Sequence, residues 1–407
     1  MKTQRDYPAV TLHRRGAERV QGGHPWVFDN EITSESGAPA DGALCDVLSP
    51  KGRYLGTGFY NSRSKIRVRI ISRNANDAFG APFFARRVQY AWDYRKAVMG
   101  PDTACCRVIF GEADHFPGLT VDKFGDILVA QTMSLGLEKV KPLVFPLLVQ
   151  AIENDGQPIR GIYERNDGKL RELEGLEQGK GWFPLEGRPT PESTVTEIVE
   201  NGIRYRVDFE NGQKTGFFLD QKYNRAAAAK IAPGRRVLDC FTHTGSFGLN
   251  CKKAGAAQVV SVDVSDTAIA QAKENAALNG LSVEYQTANV FDLLPTLTPG
   301  QFDYIILDPP AFTKSGKTVD SAQRGYKEIN YRAMKALPRG GYLATCSCSH
   351  FMTDALFRKM LHAAARDAQV ELRLVEARAQ APDHPVLWTV PETDYLKFYI
   401  FQVVDDQ

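Results

Sequence analysis

The sequence has no Cys-x-x-Cys pair among its seven cysteines, and seven is an odd number. Neither a disulfide framework nor a zinc ribbon is indicated, no metal is predicted, and a functional cysteine is expected to act as a thiol. No stretch approaches the roughly 18 apolar residues needed to cross a bilayer, and the start, MKTQRDYPAVTLHRRG, lacks the apolar core of a signal peptide. These absences predict a cytoplasmic protein that makes no membrane contact.

An excess of charge of one sign is also lacking over the whole chain, whose 407 residues carry a net charge of +2. The balance is local, however, because residues 1–75 hold twelve Lys and Arg against seven Asp and Glu. The composition, 43% hydrophobic and 24% charged, is that of a soluble globular protein. The basic first part is the candidate for contact with nucleic acid.

Three patterns follow one another and predict three domains, at 1–75, 76–190 and 191–407. Short alternating runs between turn residues predict a small β-barrel or sandwich over 1–75. Mixed patterns predict an α+β domain over 76–190, with helices over 83–98 and 140–152 and a strand over 127–130. The last part begins with a hairpin at an Asn-Gly turn, and then strands and helices alternate, which predicts a doubly wound α/β sheet.

A basic stripe is predicted on one strand of the first domain. Lys65, Arg67 and Arg69 alternate with apolar residues, so their side chains share one strand face. The alternative is a solvated outer face. We favour RNA contact because the stripe coincides with the locally basic domain.

A carboxylate, Asp239, ends the first strand of the predicted parallel sheet, before a turn with Gly245 and Ser246 that begins a helix. Ligands bind at the carboxyl ends of parallel strands. The turn lacks the three glycines of the dinucleotide fingerprint, which disfavours a phosphate ligand. Asp239 suits an ammonium group such as the amine of S-adenosylmethionine (SAM), and Asp263, at the next strand end, suits the hydroxyls of a ribose. For Asp239 alone, a helix cap is the alternative.

Asp308 ends another apolar run and begins a loop that Pro309 and Pro310 stiffen. In methyltransferases acting on nitrogen, a similar loop starts with an Asn or Asp that accepts a hydrogen bond from the target amine. A plain turn is the alternative.

Residues 342–350 bring a further strand to the same edge and leave Cys346 and Cys348 there. Carbon 5 of cytosine is too weak a nucleophile to take a methyl group from SAM directly, whereas a thiolate that adds to carbon 6 activates the ring as an enamine. A metal site with His350 is the competing interpretation, although no fourth ligand is evident. A third interpretation is a pair of small core residues, which we favour for Cys346.

Seven motifs in this order carry a resemblance to a known family: GQKTGFFLDQKYNR, VLDCFTHTGSFG, VVSVDVS, ILDPPAF, RGYKEIN, CSCSHF and DHPV. The chain resembles the bacterial large-subunit ribosomal-RNA cytosine-5 methyltransferases of the RlmI/RlmO type over essentially its whole length. The resemblance implies a PUA-like RNA-binding domain, a central α+β domain and a Rossmann-like SAM domain. It also implies that Cys348 is the nucleophile and that Asp308 supports the target base.

The resemblance further implies a SAM site and a substrate, 23S ribosomal RNA or a large-subunit assembly intermediate; a homodimer is compatible with it. Family members commonly have Asp where this chain has Asn289, whose amide oxygen could still accept a hydrogen bond from the adenine amine. The doublet of Cys346 and Cys348 replaces the usual single cysteine. The residues predicted to bind SAM are Gln213, Gly216, Asp239, Phe241, Gly245, Ser246, Asp263, Val264, Asn289 and Asp308.

Two other functions compete with this one. Methylation of guanine on its exocyclic amine needs no covalent nucleophile and would leave Cys348 unexplained. A non-catalytic RNA-binding protein of ribosome assembly would leave Asp239, Asp263 and Asp308 unexplained as well.

Overall fold

The computed structural model describes residues 6–313 and 318–405. The chain forms two compact units. The first comprises Met1–Glu197, Val207–Leu219 and Pro382–Thr393, and the second comprises Ile198–Arg206, Asp220–Ala381 and Asp394–Gln407. In the described residues, no helix combines the length and the apolar character that a membrane span requires. Domain limits near residues 75 and 190 stay predictions.

The first unit begins with the predicted β structure, a six-stranded sheet in the order β2-β6-β5-β4-β1-β3. Apolar side chains such as Val10, Val47 and Val68 are fully buried on it, as the alternating sequence pattern requires. Its elements are β1 (Ala9–Leu12), α1 (Arg14–Gln21), β2 (Trp26–Phe28), β3 (Ile32–Ser36), β4 (Leu44–Leu48), β5 (Tyr54–Tyr60) and β6 (Ile66–Ser72).

A second sheet of the first unit has the order β11-β10-β9-β8-β7. The helices predicted over 83–98 and 140–152 are present as α2 and α3, and the strand predicted over 127–130 is β9. The elements are α2 (Ala81–Met99), β7 (Cys105–Phe110), β8 (Leu119–Phe124), β9 (Ile127–Thr132), α3 (Leu135–Glu153), β10 (Gly161–Asn166), α4 (Leu170–Leu173) and β11 (Gly179–Phe183).

The predicted hairpin consists of β12 (Val195–Glu200) and β13 (Ile203–Asp208). Asn201 and Gly202 have φ angles of 53° and 72°. Positive φ at both central residues is the requirement of the type I′ turn that suits a two-residue hairpin.

The second unit contains a seven-stranded sheet in the order β16-β15-β14-β17-β18-β20-β19. Its first five strands are parallel, and β20 runs antiparallel between β18 and β19. Its elements are α5 (Lys222–Ile231), β14 (Arg236–Cys240), α6 (Ser246–Lys253), β15 (Gln258–Asp263), α7 (Asp266–Leu278), β16 (Glu284–Thr287), α8 (Val290–Leu293), β17 (Tyr304–Leu307), α9 (Val319–Ala336), β18 (Tyr342–Ser347), α10 (Asp354–Ala368), β19 (Val370–Arg378) and β20 (Lys397–Asp405).

Helices cover both faces of this sheet, as the doubly wound prediction requires. Leu238 packs in a core with side chains of α9 and α10, whereas its neighbour Val237 packs with α5 and α6. Cys240 on β14 pairs with Leu307 on β17, which pairs with Thr345 on β18. This register brings the carboxyl ends of β14, β17 and β18 to one edge of the sheet.

Candidate active site

Asp239 is a buried carboxylate whose two oxygens differ in their hydrogen bonding. The side chain has no exposed surface, and its Oδ2 accepts hydrogen bonds from the Gly248 N–H (2.8 Å), the Ser261 hydroxyl (3.3 Å) and the Thr242 hydroxyl. Oδ1 has no hydrogen-bond partner in the described part of the chain. Burial raises the pKa of Asp239 to about 7. A cation that reached Oδ1 would satisfy it and favour the ionised form.

A side chain at Gly245, in the turn after Asp239, would press closely against two neighbouring residues. This residue has a φ angle of +83° and precedes the first residue of α6. A Cβ at this position would lie 3.1 Å from both the Ala272 side chain and the Tyr285 hydroxyl. Phe241 also has a positive φ angle, 63°, and Ser246 is buried. The positive φ angle and the close neighbours therefore favour glycine at Gly245.

Asp263 is held in place by main-chain donors at the end of β15. Its carboxylate accepts from the N–H groups of His243 (2.9 Å) and Ser265 (3.0 Å). Val264 follows with 72% of its surface exposed, and the exposed Asn289 side chain caps α8. An oriented carboxylate beside an exposed apolar side chain matches the hydroxyls and the base of a nucleoside.

A hydrogen-bonded group joins Asp308, Cys346 and Gln221. The Cys346 thiol donates to Asp308 Oδ1 at a distance of 2.9 Å, and the Gln221 amide donates to the same oxygen at 3.1 Å. Burial and then the Asp308 carboxylate raise the pKa of Cys346 well above its usual range. Burial also raises the pKa of Asp308. Cys346 is therefore a protonated donor in this arrangement.

Cys348 lies just beyond the end of β18, which stops at Ser347. It is half-buried, in contrast to Cys346, which is 1% exposed. Lys397, at the start of β20, is buried and donates to the main-chain oxygens of Ser349 (2.6 Å) and Tyr395 (2.8 Å). Burial lowers the pKa of Lys397 to about 8. The turn that carries Cys348 is thus attached to β20 by a buried ammonium group.

Two residues predicted for SAM binding, Gln213 and Gly216, belong to the first unit, whereas the other members of that set belong to the second. Gln213 is exposed and Gly216 is buried with a φ angle of +118°. A Cβ on Gly216 would approach Val207 within 2.9 Å. Their part in SAM binding stays a prediction.

The three residues of the predicted basic stripe differ in their exposure and in their contacts. Lys65 is exposed, and the Arg67 guanidinium lies 5.9 Å from the centre of the Tyr60 ring. Arg69 forms an ion pair with Glu174 at 2.7 Å, and its side chain is 12% exposed. The charge of Arg69 is thus offset within the first unit, and RNA contact by the stripe stays a prediction.

Sequence reasoning missed two residues of this site, Gln221 and Lys397. Gln221 lies in the motif GQKTGFFLDQKYNR, but its hydrogen bonds to Asp308 and Cys346 join positions 87 and 125 residues apart. Lys397 stands at the head of the apolar run Lys397-Phe398-Tyr399-Ile400. The signal available in the sequence was a single lysine at the start of an apolar run that is typical of a strand buried on both faces.

Comparisons with known proteins identify the family and the fold. Residues 183–401 match the family described as S-adenosylmethionine-dependent methyltransferase, and residues 10–73 match the PUA-like domain. A protein of Shewanella denitrificans named ribosomal RNA large subunit methyltransferase I is 42% identical over 399 residues, which are 95% of this chain and 98% of that protein. The protein of the same name from Photobacterium profundum is 41% identical over 381 residues, 92% and 94% of the two chains.

Solved structures share the fold. A chain from Streptococcus mutans, assigned as a SAM-dependent methyltransferase, has a TM-score of 0.79 at 22% identity and covers 97% of this chain and 100% of its own. A second solved chain, described as a methyltransferase in complex with SAH, has a TM-score of 0.80 at 21% identity. It also covers 97% of this chain and 100% of its own. The predicted fold class, cofactor and family are confirmed. The chain belongs to the SAM-dependent methyltransferases, in the family of the proteins named ribosomal RNA large subunit methyltransferase I.

Proposed function

We propose that the protein methylates carbon 5 of a cytosine in large-subunit ribosomal RNA through a covalent adduct with Cys348. The observation that carries the proposal is the meeting of Asp308 and Cys346 at 2.9 Å at one sheet edge, with the half-buried Cys348 two residues further on. The names of the relatives support ribosomal RNA as the substrate, and the PUA-like match supports RNA binding by the first unit.

The residues of the second unit fit SAM, which supplies the reaction with an electrophilic methyl group when it is bound. Asp239 would hold the amine, because its buried Oδ1 has no hydrogen-bond partner in the described residues. Asp263 would accept the ribose hydroxyls, and Val264 and Asn289 would contact the adenine. Gly245 and Ser246 would border the same ligand from the start of α6.

Cys348 would act as the nucleophile because Cys346 is held as a protonated donor to Asp308. The Cys348 thiolate adds to carbon 6, and Asp308 supports the ring by a hydrogen bond while carbon 5 gains electron density. After methyl transfer, a base removes the proton of carbon 5, and elimination breaks the bond between sulfur and carbon 6. The Lys397 ammonium, which donates to the carbonyl next to Cys348, favours the thiolate by its positive charge.

The direct test is nucleoside mass spectrometry of unmodified large-subunit RNA incubated with the protein and SAM. We expect 5-methylcytidine as the product. A product methylated on the exocyclic amine of guanosine would show that the carbon 5 proposal is wrong.

The affinity for SAM should depend on pH through Asp239. Its pKa is about 7 without ligand, and the amine of SAM pairs with the ionised form, so binding at lower pH requires the loss of a proton. The affinity should therefore fall about tenfold per pH unit below the pKa and level off above it. Calorimetry between about pH 5.5 and 7.5 measures this slope. Asp239→Asn should bind SAM weakly and with no such slope, and an equal slope in that variant would assign the proton to another group.

A further inference from the structure

The first unit presents an exposed tryptophan on a well-held segment, residues 382–393. Trp388 has 94% of its surface exposed. The segment is anchored on both sides of it, because buried Asp383 accepts from the Arg107 N–H (2.7 Å) and the Leu387 N–H donates to the Thr393 hydroxyl (2.9 Å). The backbone that carries this exposed ring is already ordered. Binding through Trp388 would therefore cost little further conformational entropy.

One face of α2 adjoins this segment and carries two more exposed rings. Tyr90 and Tyr94 are 62% and 38% exposed and lie one turn apart, with Arg87 on the same helix face. The Tyr94 hydroxyl donates to the main-chain oxygen of Pro382 at 3.1 Å. A cavity of about 210 Å³ is lined by this helix face together with Pro385.

A neighbouring cavity of about 240 Å³ is lined by Arg73, Arg87 and Leu387. Arg73 donates to the main-chain oxygens of Val20 and His24, and Arg87 donates to that of Ile71. Neither guanidinium has a carboxylate within ion-pair distance in residues 6–313 and 318–405. These contacts orient both cations and leave their charge available to an anion.

Burial lowers the pKa of Arg87, and the carboxylate of Asp77 opposes that shift. Asp77 also lines the cavity, but its carboxylate accepts from the Ser72 hydroxyl (2.6 Å) and pairs with Arg86 (3.2 Å). His115 lines both cavities, and burial lowers its pKa to about 4. At neutral pH His115 is therefore an uncharged hydrogen-bonding group.

We propose that this surface, defined by Arg73, Arg87, Tyr90 and Trp388, binds a single-stranded segment of RNA. The two arginines take a phosphate, and Trp388 and Tyr90 stack on bases. Rings interleaved with available cations are the arrangement that single strands require, because every base has an aromatic face and every linkage is an anion. The inference rests on the proposed function only in taking ribosomal RNA as the source of that strand.

The test uses the full chain and a fluorescein-labelled single-stranded oligoribonucleotide of mixed sequence, with binding followed by anisotropy. Trp388→Ala should weaken binding about five- to hundredfold, and Trp388→Phe should retain most of it because a phenyl ring still stacks. Leu173→Ala is the matched control. Leu173 is also a large apolar residue with 67% of its surface exposed, but it lines neither of the two cavities. Arg87→Gln should lower the slope of affinity against salt by about 0.7, the value for one phosphate of a single strand.

The proposal would be overturned if the native protein, Trp388→Ala and Arg87→Gln bound the RNA with equal affinity across the salt series. A protein partner would then be the remaining candidate for this surface. SAM affinity and thermal unfolding of each variant should match those of the native chain, which separates lost contact from lost folding. Failure of the proposed function gives a different result. The native protein would then produce no 5-methylcytidine while Trp388→Ala still lost RNA affinity.

Discussion

Cys348→Ala should abolish methylation and should form no covalent adduct with RNA that contains 5-fluorocytosine. The fluorine replaces the proton whose removal precedes elimination, so an adduct that forms persists and is retained in a denaturing gel. Alanine cannot form the bond to carbon 6, and carbon 5 is then too weak a nucleophile to react. We expect a loss of more than about a thousandfold in kcat/KM, comparable to the loss of a nucleophile in other covalent enzymes. SAM affinity should be unchanged.

Cys346→Ala is the matched control for this prediction. The Cys346 thiol is a hydrogen-bond donor to Asp308 and its pKa is raised by burial, so it is poorly placed to attack. The variant should still trap 5-fluorocytosine RNA, with turnover intact or slowed at product release. An adduct in Cys348→Ala that vanishes in Cys346→Ala would exchange the two roles. Methylation that survives the loss of both thiols would exclude the carbon 5 mechanism.

Local patterns in the sequence were sufficient to predict the elements that build the site. Period-two alternation, the Asn201-Gly202 turn and carboxylates at strand ends each have a local physical cause, and the structure has the corresponding elements. Parallel strands must also meet with their carboxyl ends on one edge. The placement of Asp239 and Asp308 on one edge therefore followed from the order of strands and helices alone.

Contacts between distant parts of the chain could not be predicted in this way. Arg69 alternates with apolar residues like Lys65, but Glu174, 105 positions away, offsets its charge. The position of β20 between β18 and β19 brings Lys397 beside the turn of Cys348. Period-two alternation places a side chain on a face but does not identify what lies opposite, and tertiary packing decides that.

Glu200→Ala should lower the free energy of unfolding of the second unit by about 3 to 5 kcal/mol, because it removes the carboxylate that pairs with a buried cation. Glu200 and Arg225 pair at 2.6 Å, and their side chains are 0% and 2% exposed. Burial lowers the pKa of Arg225, and Glu200, Tyr205 and Asp220 together raise it above its ordinary value. Hydrogen exchange of peptides in α5 and β14 measures the loss. Tryptophan fluorescence would not follow the second unit, because the chain's four tryptophans lie in the first unit.

The double variant Glu200→Leu with Arg225→Met distinguishes a missing charge partner from a missing side chain. Two apolar residues of similar size remove both charges, so the buried site no longer holds an unpaired ion. The double variant should therefore regain most of the stability that Glu200→Ala loses. Arg339→Ala, which breaks an ion pair with Asp405 whose side chains are 43% and 61% exposed, should change protection little. If the double variant is as unstable as Glu200→Ala, packing at this position and not the unpaired charge sets the cost.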